Sequence, residues 1–342
     1  MNNEESPNKL KLFNLALTLS FDCPNGCRHC GVADIGKEIG EMGVEKAKRY
    51  IDMSSQLEQM MSISITGGEP LLYFDKVNSI LKYGQSKYNY AGNISTSAYG
   101  MDTLTETKSL LAKLQKAGLR SLLLSVGDFH QEYVPIENVK HCLKAAEYHD
   151  IPVIVQTAGT KSSNKSEDYK KILDTKGGKY VTFLDIPCDP IGRAKEEIPD
   201  EEFSAGKHIP KGNCSMFQVV QIWPNGSVKL CCGTASRHEN LTFGNVNGQH
   251  LFDIVKKAET SPLPNALSSW RGPGYLIELA KTGGYSERLL DGYTSECHAC
   301  HHLISDPELY SYLEEKLEAQ TQKIVGARLF LEEKYNYFQP HL

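Results

Sequence analysis

Short runs of apolar, β-favouring residues alternate with longer amphipathic stretches between about residues 12 and 187. The runs predict six strands, and the stretches between them predict five helices. One helix is marked at both ends, because Thr103 with Glu106 forms a capping box and Gly118 stands where a left-handed C-cap belongs. Repeated strand–helix–strand units indicate a parallel sheet with helices outside, and six strands favour a partial (β/α)6 barrel over a complete eight-stranded one. The strands are predicted at 15–19, 63–66, 92–96, 122–126, 153–156 and 180–184, and the helices near 44–60, 74–84, 103–117, 136–149 and 166–175.

The pattern changes after Pro190. Residues 195–212 are charged and contain two prolines, which is typical of a connector. Residues 218–231 predict a hairpin, because Asn225-Gly226 supplies the positive φ angles of a tight turn. The stretch 306–335, rich in Leu, Glu and Lys, predicts a helix. The expected division is a partial barrel at 1–194, a small α+β domain at 195–305 and a C-terminal helix at 306–342.

Composition narrows the class of protein. The 342 residues carry 37 Lys plus Arg against 42 Asp plus Glu, a formal net charge of −5 without basic blocks, which argues against nucleic-acid binding. No stretch approaches the roughly 18 apolar residues of a membrane span. The polar N-terminus does not resemble a secretory signal, so we expect a cytoplasmic protein. In a reducing cytosol, its ten cysteines are expected to bind metal or to do chemistry.

Cys23, Cys27 and Cys30 share one loop directly after the first predicted strand. The carboxyl ends of the strands form the active face of an α/β barrel. Three thiolates on one loop can hold three irons of a 4Fe–4S cluster and leave the fourth iron open to a small chelating ligand. The alternatives are a zinc site completed by His29 and a coincidence of spacing.

Gly67-Gly68-Glu69-Pro70 follows the second predicted strand. Two glycines let the backbone approach a ligand closely, and the carboxylate can accept hydrogen bonds from an ammonium group. Together with the cysteine loop, this turn resembles the radical S-adenosylmethionine (SAM) enzymes over roughly residues 12–190. The resemblance implies that the amino and carboxylate groups of SAM chelate the open iron and that Gly67, Gly68 and Glu69 receive the amine. By position it also suggests Ser95, Ser97 and Ser125 as polar contacts, unless they are ordinary strand-end serines, and Arg193 as a carboxylate ligand.

A second set of cysteines lies in the C-terminal half. Cys214 is followed by eleven residues, Gly226, four residues and Cys231, and Cys297-x2-Cys300 comes much later. This spacing resembles the short "twitch" form of the SPASM extension of radical SAM enzymes. Four thiolates can hold a fully ligated 4Fe–4S cluster suited to electron transfer. A structural zinc site is the alternative.

Cys232 is outside that ligand set. In an extended chain its side chain would point away from a cluster held by Cys231. It is then a candidate hydrogen-atom donor, although it could instead be a small buried hydrophobe or replace Cys231 as ligand. Cys188, after the sixth strand, is the competing reactive thiol, and Cys142 is interpreted as a packing residue. His298, His301 and His302 are interpreted as turn or surface residues, and Asp128 and His130 as a polar pocket wall.

The resemblance implies SAM and two 4Fe–4S clusters as cofactors, and a one-electron reductant such as flavodoxin or ferredoxin. If Cys232 returns a hydrogen atom to a Cα radical, the enzyme converts L- to D-residues in a ribosomally made precursor peptide, as in the epipeptide-type epimerases that it resembles. If the second cluster accepts an electron, the product is a thioether or carbon–carbon cross-link, or a dehydrogenated small molecule. Only about ten residues precede the first strand, which keeps a small-molecule substrate open. A non-catalytic zinc-binding module would also explain the cysteines.

Overall fold

In the computed structural model nine strands form one sheet, in the order β6-β5-β4-β3-β2-β1-β7-β8-β9. The structure describes residues 10–33, 35, 37–174, 180–204, 208–214, 217, 219–268 and 271–335. Strands β1 to β7 are parallel, and β8 and β9 are antiparallel to their neighbours. The strands are β1 (Asn14–Thr18), β2 (Ser62–Thr66), β3 (Ala91–Thr96), β4 (Leu119–Val126), β5 (Val153–Gly159), β6 (Val181–Pro187), β7 (Val219–Ile222), β8 (Ser227–Lys229) and β9 (Thr242–Asn245).

The helices connect the parallel strands and then form most of the C-terminal part. They are α1 (Val44–Ser54), α2 (Phe74–Tyr88), α3 (Leu104–Ala117), α4 (Asp128–Gln131), α5 (Ile136–Tyr148), α6 (Ser166–Ile172), α7 (Arg193–Glu197), α8 (Leu251–Glu259), α9 (Pro262–Ser268), α10 (Gly272–Thr282), α11 (Glu296–Ser305) and α12 (Pro307–Tyr335). No helix in these ranges is both long and apolar enough to cross a membrane.

The partial barrel expected from the sequence is confirmed, and its elements lie close to the predicted positions. Local signals mark α3 at both ends, as expected: the Thr103 hydroxyl accepts a hydrogen bond from the Glu106 N–H at 3.2 Å, and Gly118 ends the helix with a φ of 114°. Helix α1 ends six residues before the predicted limit, and α12 agrees with its prediction. The N-terminal polar segment and Gln218 lie outside the described residues.

The hairpin β7–β8 forms as the Asn225-Gly226 turn predicts, with Gly226 at a φ of 87°. Its position was not predicted, since β7 pairs in parallel with β1 and extends the barrel sheet. Strand β1, which carries the first cysteine loop at its end, therefore has neighbours on both sides. This pairing brings the second half of the chain against the barrel.

Alternation along the strands separates a helix-facing core from an inner cavity. Leu15 and Leu17 on β1 and Ile63 and Ile65 on β2 are at most 1% exposed and belong to the main core. Burying each of these side chains stabilises the fold by roughly 1.5–3 kcal/mol. The residues between them, such as Ser64, line the cavity instead.

Candidate active site

A cavity of about 1550 Å³ occupies the interior of the partial barrel. Residues from both cysteine sets line it, although the sets are about 180 residues apart in the chain. Its walls are strand residues, and its rim is formed by the loops that follow the strands. The cysteines that line it are Cys23, Cys27, Cys30, Cys188, Cys214, Cys232 and Cys297.

The first cysteine loop is held in place through its backbone. The Cys30 N–H donates to the Cys27 carbonyl oxygen at 3.2 Å. Arg193, at the start of α7, donates from its backbone N–H to the Cys30 carbonyl and from its guanidinium to the Cys27 carbonyl, both at 3.1 Å. The Asn25 amide donates to the Ser97 hydroxyl at 3.1 Å and ties the loop to the end of β3. The residues that hold this loop therefore come from the end of β3 and the start of α7.

Burial disfavours the thiolate form of two thiols of this loop. Burial, followed by the charges of Cys23 and Cys30, raises the pKa of Cys27 to about 12. Burial likewise raises the pKa of Cys23. Bound iron would reverse these shifts, because metal ligation stabilises thiolates. The donor set thus fits an iron–sulfur cluster.

Gly67 and Gly68 pack directly on the backbone that leads into the cysteine loop. A Cβ atom at Gly67 would lie 2.3 Å from the Ser20 carbonyl oxygen, and one at Gly68 would lie 2.0 Å from the Asp22 carbonyl oxygen. The Gly68 N–H donates to the Ser20 carbonyl at 2.8 Å. Only glycine fits at these two positions, and both residues line the cavity.

Glu69 turns away from its two glycine neighbours. Glu69 is 2% exposed, and among the described residues that line the cavity Gly67 and Gly68 are present but Glu69 is not. Its carboxylate accepts hydrogen bonds from the Thr96 hydroxyl at 2.8 Å, the Ser97 N–H at 2.9 Å, the Ser97 hydroxyl at 2.8 Å and the Leu71 N–H at 3.1 Å. The cavity-facing part of the turn is therefore the glycine backbone, and the expected contact of the Glu69 carboxylate with an amine stays a prediction.

Substituting Glu69 tests how much its buried hydrogen bonds stabilise the fold. In Glu69→Ala four buried or half-buried donors lose their acceptor, and we expect the free energy of unfolding of the metal-free protein to fall by roughly 3 kcal/mol. Urea titration followed by circular dichroism measures the loss. Glu137→Ala, whose side chain is 61% exposed, is the control and should change it by less than about 0.5 kcal/mol. Equal losses in the two variants would contradict the assignment.

The second set of cysteines converges from three elements. Cys231 follows β8, and Cys297 and Cys300 lie in the first turns of α11. The backbone N–H of Cys214 donates to the Leu267 carbonyl at 3.0 Å beside α9. Burial, followed by the charges of Cys297, Cys214 and Cys300, raises the pKa of Cys231 well above its ordinary value. The four sulfur atoms are therefore close enough to interact electrostatically.

Cys231 and Cys232 differ in their surroundings. Cys231 is 5% exposed and belongs to the core beside Cys300. Cys232 is exposed to the cavity. Poor solvation there, and secondarily the charge of Cys297, raises the pKa of Cys232 to about 11. The two thiols thus face different environments, as expected for consecutive residues of an extended chain.

The remaining candidates divide between the cavity and the core. Ser95, Ser97, Ser125 and Arg193 line the cavity. Cys188 is buried at its edge, where burial raises its pKa to about 12. Cys142 is fully buried in α5 among core residues, which agrees with its interpretation as a packing residue.

Two histidines beside the first loop, His29 and His130, contact each other in a way that their positions in the sequence do not indicate. His29 stacks on Phe129 with ring centroids 5.1 Å apart and meets His130 edge-on at 4.5 Å. Both Nδ1 atoms are buried without a hydrogen-bond partner. Poor solvation lowers the pKa of His29 to about 4 and that of His130 to about 3, so both rings are neutral near pH 7. The chain distance between these residues concealed their contact.

These histidines and Cys27 form a compact ligand group. Across the described ranges, theirs is the one group of three or more candidate ligand atoms that all lie within 4.8 Å of one another. A single tetrahedral zinc ion needs sulfur atoms about 3.8 Å apart. Among the described residues, neither complete cysteine set has all of its sulfur atoms within 4.8 Å of one another. That both sets hold iron–sulfur clusters stays a prediction.

The histidines near the second set also differ from the expectation. His298 is 7% exposed, and its Nδ1 accepts a hydrogen bond from the Thr294 N–H at 3.1 Å. His301 contacts His238 at 2.6 Å between ring nitrogens. His298 is therefore a buried residue of α11 and not the turn or surface residue that was expected.

The fold and the site define a class of protein. A partial parallel barrel with a three-cysteine loop after its first strand and a Gly-Gly-Glu-Pro turn after its second is the architecture of enzymes that bind SAM to an iron–sulfur cluster. Residues 17–149 match the model of the Radical SAM superfamily. The chain therefore contains a radical SAM domain over these residues. Proteins of that superfamily use SAM and a 4Fe–4S cluster.

Comparison with individual proteins extends over more of the chain. It is 20% identical over 309 residues to YydG of Bacillus subtilis (strain 168), a protein named for a proposed role in peptide biosynthesis, covering 88% of this chain and 95% of that protein. Its fold is similar to that of BtrN in complex with AdoMet and 2-DOIA, with a TM-score of 0.49, 18% identity and coverage of 78% and 90% of the two chains. It is also similar to Streptococcus suis SuiB bound to precursor peptide SuiA, with a TM-score of 0.46, 15% identity and coverage of 80% and 74%.

Proposed function

We propose that this protein is a radical SAM peptide epimerase, in which Cys232 returns a hydrogen atom to a Cα radical of a ribosomally made peptide. The observation that carries the proposal is the shared cavity: Cys232 and the three cysteines of the first loop line the same space. A thiol in that position meets a substrate held there, while Cys231 is buried with the other cysteines of its set.

Residues of the first loop and of the cavity wall bind the first cluster and SAM in this proposal. Cys23, Cys27 and Cys30 hold the first cluster, and the cavity-facing backbone of Gly67 and Gly68 lies where it can meet the amine of SAM. The polar residues Ser95, Ser97, Ser125 and Arg193 face the same space and supply further contacts. When bound and reduced by one electron, the cluster and SAM supply a 5′-deoxyadenosyl radical, which removes a hydrogen atom from the substrate Cα. In this proposal, hydrogen-atom abstraction from the substrate takes place at the rim of the barrel.

Cys232 completes the reaction. Its S–H bond breaks as a C–H bond forms on the opposite face of the Cα radical, which inverts the centre and leaves a sulfur radical. One electron and one proton restore the thiol. Cys214, Cys231, Cys297 and Cys300 would hold a second cluster, which would supply this electron from a cellular reductant of the flavodoxin or ferredoxin class. Solvent would supply the proton. The overall conversion of L- to D-residue is redox-neutral for the peptide.

The cavity wall favours an uncharged part of the substrate. Its strand residues are neutral, and two pairs of them are hydrogen-bonded: Asn14 donates to Ser64 at 2.8 Å, and Ser121 donates to Asn93 at 2.6 Å. A formal charge bound among them would be desolvated without a partner, which is costly. The peptide-related names of YydG and SuiB support a peptide as the substrate.

A second candidate reaction is an oxidation. Cys214 and Cys297 line the same cavity, so a cluster at the second site would face the substrate directly. Such a cluster could accept an electron from the substrate radical. The products would then be a thioether or carbon–carbon cross-link in a peptide, or a dehydrogenated small molecule.

Turnover in deuterated water separates the two reactions. With a precursor peptide encoded beside the gene, epimerisation should give a product one mass unit heavier, with deuterium on a single α-carbon. The reason is that the Cys232 thiol exchanges with solvent before it donates. Mass spectrometry and chiral amino-acid analysis measure the result. A product that has lost two hydrogens would contradict epimerisation and support oxidation.

A further inference from the structure

Asp189 connects three distant segments at the rim of the cavity. Its Oδ1 accepts hydrogen bonds from the Thr294 hydroxyl at 2.6 Å and the Ser295 hydroxyl at 2.7 Å. Its Oδ2 accepts a hydrogen bond from the Thr234 hydroxyl at 3.0 Å. Asp189 itself comes two residues after the end of β6. One carboxylate therefore joins the barrel to two segments of the C-terminal half.

Both of those segments adjoin candidate cysteines. Thr234 is two residues beyond Cys232, at the start of a 3-10 turn that ends at Arg237. Ser295 is the N-cap of α11, and its hydroxyl also accepts the His298 N–H at 3.1 Å. Because this hydroxyl donates to Asp189, the carboxylate fixes the direction of the cap and hence the first turn, which carries Cys297. Asp189 therefore contacts one residue two positions from Cys232 and another two positions from Cys297.

The carboxylate of Asp189 also lies close to the second set of cysteines. Its three described hydrogen-bond donors are neutral hydroxyl groups. Asp189 lines the same cavity as Cys297, and its partner Ser295 comes two residues before that cysteine. A carboxylate beside a cluster disfavours adding an electron to it, because the added electron is also negative.

We propose that Asp189 is a positioning residue of the second site, which holds the Cys232 and Cys297 segments against the barrel and lowers the reduction potential of the cluster there. The proposal rests on the proposed function, because it needs that cluster. A low potential makes the cluster a better electron donor. It would favour reduction of the Cys232 sulfur radical over oxidation of the substrate.

The electrostatic part is tested by a charge-neutral substitution. Asp189→Asn is made in a full-length background with Cys23, Cys27 and Cys30 changed to alanine, so that the second cluster is the one observed. Potentiometric titration with electron paramagnetic resonance should give a higher midpoint potential than in the background alone. Asp185→Asn is the matched control, since Asp185 lies on β6 and accepts hydrogen bonds from Ser166. Equal potentials in the background and the Asp189→Asn variant would overturn the electrostatic part of the proposal.

The positioning part is tested without metal. In the apo protein, we expect Asp189→Asn and Thr234→Val to change the rate of Cys232 labelling by a maleimide about fivefold, which corresponds to about 1 kcal/mol, the net contribution of one hydrogen bond. Peptide mapping identifies the labelled cysteine. Thr234→Val retains the Asp189 charge, so it should alter labelling with little change in potential. Unchanged labelling in both variants would overturn the positioning role even if Asp189→Asn fails to retain a cluster.

The outcomes also separate this proposal from the proposed function. If the background protein binds zinc or no metal at the second site, the two-cluster mechanism fails and the charge effect on a cluster fails with it. The labelling rates still decide whether Asp189 positions Cys232. If the cluster is present and its potential does not respond to Asp189→Asn, the electrostatic inference alone is wrong.

Discussion

Cys30→Ala is expected to abolish SAM cleavage, lowering the rate of 5′-deoxyadenosine formation by roughly 10³-fold or more, as when one member of a catalytic unit is removed. The three thiols of the first loop line one cavity, and losing one leaves two ligands for a cluster that needs three. Iron should fall from about eight to about four per chain, because the second set of four cysteines is intact. Chromatography of reactions with dithionite and SAM, together with iron and zinc analysis of anaerobically prepared protein, measures both effects.

Cys142→Ala is the matched control for that substitution. Cys142 is a buried thiol of α5 outside both cysteine sets, so the variant should keep its iron and its cleavage activity. His130→Ala adds a second comparison, because Cys27, His29 and His130 form the compact ligand group. If the wild-type protein contains one zinc ion that His130→Ala removes, and no iron at the first loop, the radical mechanism is wrong.

Local signals explain why much of the fold could be predicted from the sequence. Some signals depend only on residues that are neighbours in the sequence. Examples are the Thr103 cap, the left-handed Gly118 and the Asn225-Gly226 turn. The Cys23–Cys27–Cys30 loop and the Cys297-x2-Cys300 pair are local signals of the same kind, because each places its thiols on one loop or one helical turn. Cys214 and Cys231 lie in separate segments and were predicted from their spacing along the chain.

Contacts between distant segments could not be predicted in this way. The pairing of β7 with β1 joins residues more than 200 positions apart, and nothing in either strand specifies its partner. Glu69 was assigned to ligand binding by its motif, yet its hydrogen bonds go to Thr96 and Ser97. The role of Asp189 could not be predicted, because its partners Thr234 and Ser295 are distant in the sequence and belong to no recognisable motif.

The same distinction between local and distant information applies to the two reactions proposed here. The adjacent pair Cys231-Cys232 sends one thiol to the core and the other to the cavity, which backbone alternation alone anticipates. Whether the cavity thiol meets the substrate radical depends on residues from both halves of the chain. A substitution of that thiol is therefore the most direct test of the chemistry.

Cys232→Ala is expected to retain SAM cleavage while losing epimerisation by about 10²-fold or more, because the Cα radical still forms but has no hydrogen-atom donor on its opposite face. 5′-Deoxyadenosine should accumulate without D-residues, and deuterium from solvent should disappear from the product α-carbon. Chiral analysis and mass spectrometry of the peptide measure the uncoupling. The full iron content should be retained, since Cys231 is the buried member of the pair.

Cys188→Ala distinguishes Cys188 from Cys232, the two cavity-lining thiols outside both proposed ligand sets. Cys188 is 4% exposed and packs with Cys27 and Phe129, so its replacement should leave deuterium incorporation in place. If Cys188→Ala instead abolishes D-residue formation and Cys232→Ala retains it, the donor is the thiol that follows β6. If Cys232→Ala loses iron from the second site, Cys232 is a ligand in place of Cys231. Retained iron together with lost deuterium is the combination that only a hydrogen-atom donor at Cys232 predicts.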